Sequence, residues 1–245
     1  MSIPAIGFDD VSVAYGRHRA VHGVSGAFAP GSLTAIIGAN GAGKSTLLKA
    51  LMGEIAPARG RIDRGGLHIR DFGYLPQISA IDRQFPLSVA DTIMLGAWRQ
   101  TGAFGAVSAQ AARRAKDALA GVGLDGFANR PIGSLSLGQF QRTLFARLMV
   151  QDADIIVLDE PFAAIDARTA CDLIKIIRRW HGDGRTVIAV LHDFDQVRAY
   201  FPNALLLAGR MIDWGATDQV LSRENLKAAR NPVENRSGST AVHGS

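Results

Sequence analysis

Residues 38–45 read GANGAGKS and fit the pattern G-x-x-x-x-G-K-[ST] without exception. The apolar run SLTAII precedes them, and a helical pattern with Leu47, Leu48, Leu51 and Met52 on one side comes after, which is the context a phosphate-binding loop requires. Gly38, Gly41 and Gly43 let the backbone adopt positive φ and bring N–H groups close to phosphate oxygens. Lys44 supplies a point charge for β and γ phosphates. The Ser45 hydroxyl suits Mg²⁺, which takes few protein ligands beside phosphate oxygens. A helix starting at this point adds its positive dipole end. The chemistry of such a loop is nucleotide binding.

Two further apolar runs end in chemically capable residues. ADIIVLDE closes on Asp159 and Glu160, and TVIAVLHD closes on His192 and Asp193. Continuous rather than alternating apolar runs, separated by helical segments such as CDLIKIIRRW, indicate a parallel sheet covered on both faces. In such a sheet the carboxyl ends of the strands share one edge, where ligands bind. The phosphate loop, two adjacent acids and a histidine are therefore expected at one site. The acids leave a strand in different directions, so one can hold a Mg²⁺ shell while the other orients or deprotonates a water. Taken alone, the acids would equally suit a strand end that caps the next segment, and His192 a satisfied structural histidine. Ser136 and Gln139 in SLSLGQFQR have the S-x-x-Q spacing of a capping box, which predicts a helix start offering N–H groups to an anion.

These side chains need a scaffold, and 245 residues suffice for one large α/β domain or a core with a smaller insertion. Val11, Val13 and Tyr15 alternate as on one face of a strand, which suits a core tyrosine. From residue 78 to 150 the pattern turns helical, with Ser108 as a cap for AQAARRAKDALAG, and reads as an inserted subdomain. The tail NPVENRSGSTAVHGS, residues 231–245, is polar and patternless and is expected to be poorly ordered. Hydrophobic residues at 47% and charged residues at 20% exclude a mostly disordered chain. No run of 18 apolar residues occurs, and the opening MSIPAIGFDD carries acids where an export signal needs bases, so neither a membrane span nor export is expected. The single cysteine, Cys171, cannot form an internal disulfide and reads as a small buried hydrophobe. The six histidines show no metal-ligand spacing. The net charge of +5 permits attraction to nucleic acid, but the basic residues are scattered without interleaved aromatics, so no nucleic-acid partner is expected.

In order along the chain, GANGAGKST, the glutamine of YLPQ, LSLGQFQR, VLDEP, AAID and VLHD resemble the motifs of an ABC transporter ATPase subunit, over roughly residues 5–225. That resemblance implies an α/β P-loop NTPase fold with a mostly parallel core sheet, an N-terminal antiparallel β region and an inserted helical subdomain. It puts the ATPase domain at residues 1–230, with a RecA-like core at about 1–77 and 151–225 and the helical subdomain at about 78–150. It also implies Mg²⁺-dependent ATP hydrolysis by a homodimer packed head to tail. Tyr15 then stacks on adenine, and Gly38, Asn40, Gly41, Gly43, Lys44, Ser45 and Thr46 hold ATP. Ser45, Gln77 and Asp159 hold Mg²⁺, and Gln77 also senses γ-phosphate and links to the membrane partner. Glu160 is the catalytic base and His192 contacts γ-phosphate. Ser136, Gly138, Gln139 and Asp166 act in trans on the other subunit's ATP. The implied location is the cytoplasmic face of the membrane, beneath integral membrane permease subunits and, indirectly, an extracytoplasmic metal-binding protein.

ISAIDRQFPLSVADTIMLG and DEPFAAIDART are most similar to the ATPases of bacterial zinc and manganese importers; siderophore and haem importers carry related ATPases. Soluble ABC ATPases acting on nucleic acid or ribosomes usually carry two cassettes or a long coiled coil, and this chain has neither. One residue departs from the family's commonest signature, L-S-G-G-Q: Leu137 stands at its third position. A leucine cannot take a glycine-only conformation cheaply, so helical dihedrals with the side chain turned away from the nucleotide are expected.

Overall fold

The structure is a computed structural model that describes residues 3–16, 18–98 and 108–230. The expected polar tail, residues 231–245, lies outside the described residues. The strands are β1 (Ile6–Tyr15), β2 (His18–Phe28), β3 (Leu33–Ile37), β4 (Arg59–Asp63), β5 (Phe72–Leu75), β6 (Ile155–Asp159), β7 (Thr186–Val190), β8 (Asn203–Leu207) and β9 (Met211–Ala216). The helices are α1 (Lys44–Leu51), α2 (Val89–Met94), α3 (Ala109–Gly121), α4 (Leu137–Gln151), α5 (Ala167–Gly182), α6 (Phe194–Tyr200), α7 (Thr217–Val220) and α8 (Arg223–Arg230).

Six strands form the core sheet in the order β5-β6-β7-β3-β8-β9, with every pairing parallel except β8 with β9. All residues of β3, β6 and β7 are buried. Both faces are covered, which is why these segments carry no polar alternation. On one face Ile36, Val157, Ile188 and Leu205 pack with Leu47, Leu48 and Leu51 of α1 and with β1 and β2. On the other, Ile37, Leu158, Ala189 and Leu206 join the apolar sides of the helices.

An antiparallel sheet of three strands, β2-β1-β4, carries the N-terminal region. Val11 and Val13 are buried there, but Tyr15 is 50% exposed, so it is no core tyrosine. Register shifts on either side of Val13 break the period-two alternation before it reaches Tyr15. Cys171 also departs from expectation and is exposed. The buried stripe of α5 runs through Thr169, Ala170, Leu173, Ile174, Ile177 and Trp180, and the 3.6-residue period passes Cys171 by.

Between β5 and β6 the described residues are mostly helical. Ser108 caps α3 by accepting a hydrogen bond from the Ala111 N–H at 3.1 Å. Phe145 of α4 stacks on Trp180 of α5 with centroids 5.6 Å apart, which ties this helical part to the sheet-covering helix. Gly96, just after α2, lies so close to α4 that a Cβ there would sit 2.2 Å from the Arg147 carbonyl oxygen. Gly96→Ala is therefore expected to lower stability by about 1 to 3 kcal/mol, read as a reduced urea midpoint with unchanged m-value.

Candidate active site

The loop at residues 38–43 is shaped by the strands around it. Gly38 has φ 152° and Gly43 φ 94°. A Cβ on Gly38 would lie 2.2 Å from the Leu207 carbonyl oxygen of β8, and one on Gly43 would lie 2.5 Å from the Ala20 carbonyl oxygen of β2. Only glycine satisfies both the dihedrals and the close approach. The turn delivers Lys44 as the first residue of α1, where its Nζ donates to the carbonyl oxygens of Gly38 and Ala39, each at 2.9 Å. Burial lowers the Lys44 pKa, while the charges of Glu160 and Asp159 pull it back up.

The strand ends do converge. A cleft of about 570 Å³ is lined by Asn40, Gly41, Gly43, Lys44, Ser45 and Thr46 together with Gln77, Glu160, His192 and Ala20. Asp159, the last residue of β6, is buried beneath it and accepts a hydrogen bond from Ser45 Oγ at 3.2 Å. Burial raises the Asp159 pKa; the Ser45 hydrogen bond opposes this and the neighbouring Glu160 charge adds to it. Glu160 does not continue the strand. Its φ of 52° is left-handed, an uncommon conformation for a non-glycine residue, and it turns the carboxylate away from Asp159 into the cleft. There Gln77 Nε2 donates to Glu160 Oε2 at 2.7 Å, and His192 Nε2 lies 2.6 Å from Glu160 Oε1. The two acids thus diverge through a backbone turn and not through strand alternation.

Ser136, Gly138, Gln139 and Asp166 do not line this cleft. They gather at two neighbouring helix starts. Ser136 Oγ accepts from the Gln139 N–H at 3.2 Å and Gln139 Oε1 from the Ser136 N–H at 3.0 Å, the reciprocal capping box expected from their spacing. Asp166 caps α5 by accepting from the Thr169 N–H at 2.9 Å. A Cβ on Gly138 would lie 3.8 Å from Asp166 Oδ2, so the two starts adjoin. Leu137 is helical and 37% exposed. Tyr15, at the end of β1, also lies outside the cleft lining.

Some contributors are not readable from motif spacing. Ala20 enters the cleft only because β2 crosses the loop. Gln141 is fully buried in α4 and donates through Nε2 to the Pro161 carbonyl at 2.7 Å, bracing the turn that carries Glu160. Its one sequence signal is a polar residue on an otherwise apolar helix face.

The family description "ABC transporter" matches residues 21–163. The chain belongs to the ABC transporter family. It is 36% identical over 223 residues to the manganese transport system ATP-binding protein MntB of Listeria monocytogenes, spanning 89% of this chain and 93% of that protein. It is 38% identical over 229 residues to the zinc transport system ATP-binding protein TroB of Treponema pallidum, spanning 92% of this chain and 86% of that one. Among solved structures, CbiO1 of Clostridium perfringens, part of the ABC transporter complex cbiONQ, superposes with a TM-score of 0.73 at 27% identity, covering 94% of each chain. As an ABC ATPase the chain binds and hydrolyses ATP, and its α/β P-loop fold is the fold of these cassettes.

Proposed function

We propose that this ABC ATPase energises uptake of zinc or manganese, working as a homodimer beneath separate integral membrane permease subunits that are served by an extracytoplasmic metal-binding protein. The observation that carries the reading is the split geometry. Gln77, Glu160 and His192 are joined beside Lys44, while the anion-receptive start of α4 opens elsewhere. Two copies packed head to tail would bring the Ser136 end of one to the γ-phosphate held by the other, with Gly138, Gln139 and Asp166 flanking it. The metal cargo is supported by the manganese and zinc transport named for the relatives.

Within the site, Glu160 polarises the attacking water. Lys44, His192 and the second copy's Ser136 offset the charge that builds on the γ-phosphate. Gly38, Asn40, Gly41, Gly43 and Thr46 cradle the phosphates, and the exposed ring of Tyr15 is free to stack on adenine. Ser45, Asp159 and the Gln77 side-chain oxygen form an all-oxygen donor set of the kind Mg²⁺ prefers, and the Gln77 amide nitrogen is already directed at Glu160. Mg²⁺ bound with ATP supplies charge neutralisation at the phosphates.

The core would comprise about residues 1–77 and 151–225, and the helical subdomain about 78–150. No described helix is long and apolar enough to cross a membrane, so in this reading the span belongs to the permease and the chain sits at its cytoplasmic face. A groove lined by Arg70, Leu95, Trp98, Arg147 and Gln151 suits a permease helix there, because Leu95 and Trp98 present exposed apolar side chains to it.

Growth of a deletion strain under divalent-metal chelation, with zinc, manganese or iron added back in graded amounts, tests the cargo. A strain that needs more zinc or more manganese than its parent supports the proposal. Equal demand for both metals, with a raised demand for iron alone, overturns it in favour of a siderophore or haem importer.

A further inference from the structure

Gln77 and Ser136 lie on opposite sides of the helical insertion, yet the chain stretches that leave one and lead into the other run side by side. Val89 N–H donates to the Arg130 carbonyl at 2.9 Å, Ile132 N–H to the Leu87 carbonyl at 3.0 Å, and Ser88 pairs antiparallel with Pro131. At the far end of this zipper stands Arg83. Its Nη2 donates to the carbonyl of Leu135, the residue before the Ser136 cap, and its guanidinium carbon lies 5.2 Å from the ring centroid of Phe140 in the first turns of α4. Its Nε is buried without a partner. A Cβ on Gly133 would lie 3.0 Å from the Arg83 carbonyl oxygen, so glycine is what lets the two stretches close up.

The guanidinium therefore grips the start of α4 at two points, a carbonyl before the cap and an aromatic face after it. A planar cation with several fixed donors can do both at once, whereas a lysine ammonium is a single compact charge that lacks the fork to hold the carbonyl and the ring face together. Between Gln77 and Arg83 the chain makes only a short 3₁₀ turn, Ile78–Ala80, and Gln77 is its cap residue. Gln77 is thus joined by a short, tied segment to the helix start that carries Ser136.

We propose that Arg83 is a positioning residue for ATP hydrolysis: it holds the Ser136–Gln139 helix start in register with Gln77, so that when two copies meet Gln77 engages the nucleotide of its own copy while Ser136 reaches that of the other. This rests on the reading that Ser136 faces the γ-phosphate bound by a second copy. Reacting groups tolerate little misplacement, an error of about 1 Å costing on the order of 100-fold in rate.

The test uses the full chain assembled with its permease, reading kcat and KM for ATP. Affinity for a non-hydrolysable ATP analogue and Tm are measured on the same variants without permease. Arg83→Ala is expected to lower kcat by about tenfold, with analogue affinity held within about twofold, and Arg83→Lys to fall between it and the parent. Gly138→Asp provides the second arm, because a carboxylate at the α4 start repels an incoming phosphate; since the added Cβ would also lie 3.8 Å from Asp166 Oδ2, its Tm is read alongside and must stay near the parental value for the arm to count. Parental kcat in Arg83→Ala with Gly138→Asp inactive overturns the role of Arg83 alone. Parental kcat in both overturns the facing-copies reading as well. Equal losses of analogue affinity and Tm in Arg83→Ala and Arg83→Lys reduce Arg83 to a packing residue and also overturn the proposal.

Discussion

Glu160→Gln is expected to leave ATP binding intact while hydrolysis falls by about 100- to 10,000-fold, the contribution typical of a positioned general base. Glutamine has the volume of glutamate, so the left-handed turn at this position and the bracing of Pro161 by Gln141 need not change. The contacts that hold the phosphates belong to the loop and to Lys44, which the substitution does not touch. What disappears is the basic carboxylate that Gln77 and His192 approach at 2.7 and 2.6 Å. An amide does not accept the proton of an attacking water, so ATP stays unhydrolysed and the ATP-loaded pair of subunits persists. Single-turnover phosphate release measures the rate, and size-exclusion chromatography with ATP reads the dimer. Release at the parental rate would reject Glu160 as the base.

Gly38→Ala is expected to lower stability by about 3 kcal/mol or more and to abolish nucleotide binding, because two costs coincide at this position. The φ of 152° lies where side chains are rarely accommodated, and the added carbon meets the Leu207 carbonyl at 2.2 Å and the Ala42 Cβ at 3.0 Å. Leu207 is a fully buried residue at the end of a central strand, so the obstacle is core backbone and not a flexible side chain. Relief requires the loop to move, and the loop holds both carbonyls that grip Lys44. Urea unfolding and equilibrium binding of a fluorescent ATP analogue check both effects. An unshifted midpoint with intact binding would mean that the loop relaxes around the methyl group.

Much of the site is legible in the sequence because its signals are local. The loop at residues 38–45 announces itself by residue type and spacing, and the apolar runs ending at Ile37, Asp159 and Val190 imply a parallel sheet whose carboxyl edge gathers the residues just beyond each strand. The caps at Ser108 and Ser136 are equally readable, since capping is an exchange between residues three apart. Tyr15 and Cys171 depart from their sequence patterns for opposite reasons. A register irregularity, caused by pairing with β2, turns Tyr15 outward, and the rotation of α5 against the sheet leaves Cys171 off its buried stripe.

By itself, then, the sequence determined the phosphate chemistry, the apolar strands that end at Ile37, Asp159 and Val190 with the helices after them, and membership of the ABC family, all of which depend on neighbours in the chain. Only the tertiary structure decided how that chemistry is divided. It turned Glu160 out of its strand toward Gln77 and His192, kept the Ser136 and Asp166 helix starts out of the Lys44 cleft, and joined Arg83 to the start of α4. Those relations span tens of residues, and nothing in local spacing encodes which distant carbonyl, ring or carboxylate a folded chain will bring within hydrogen-bond reach.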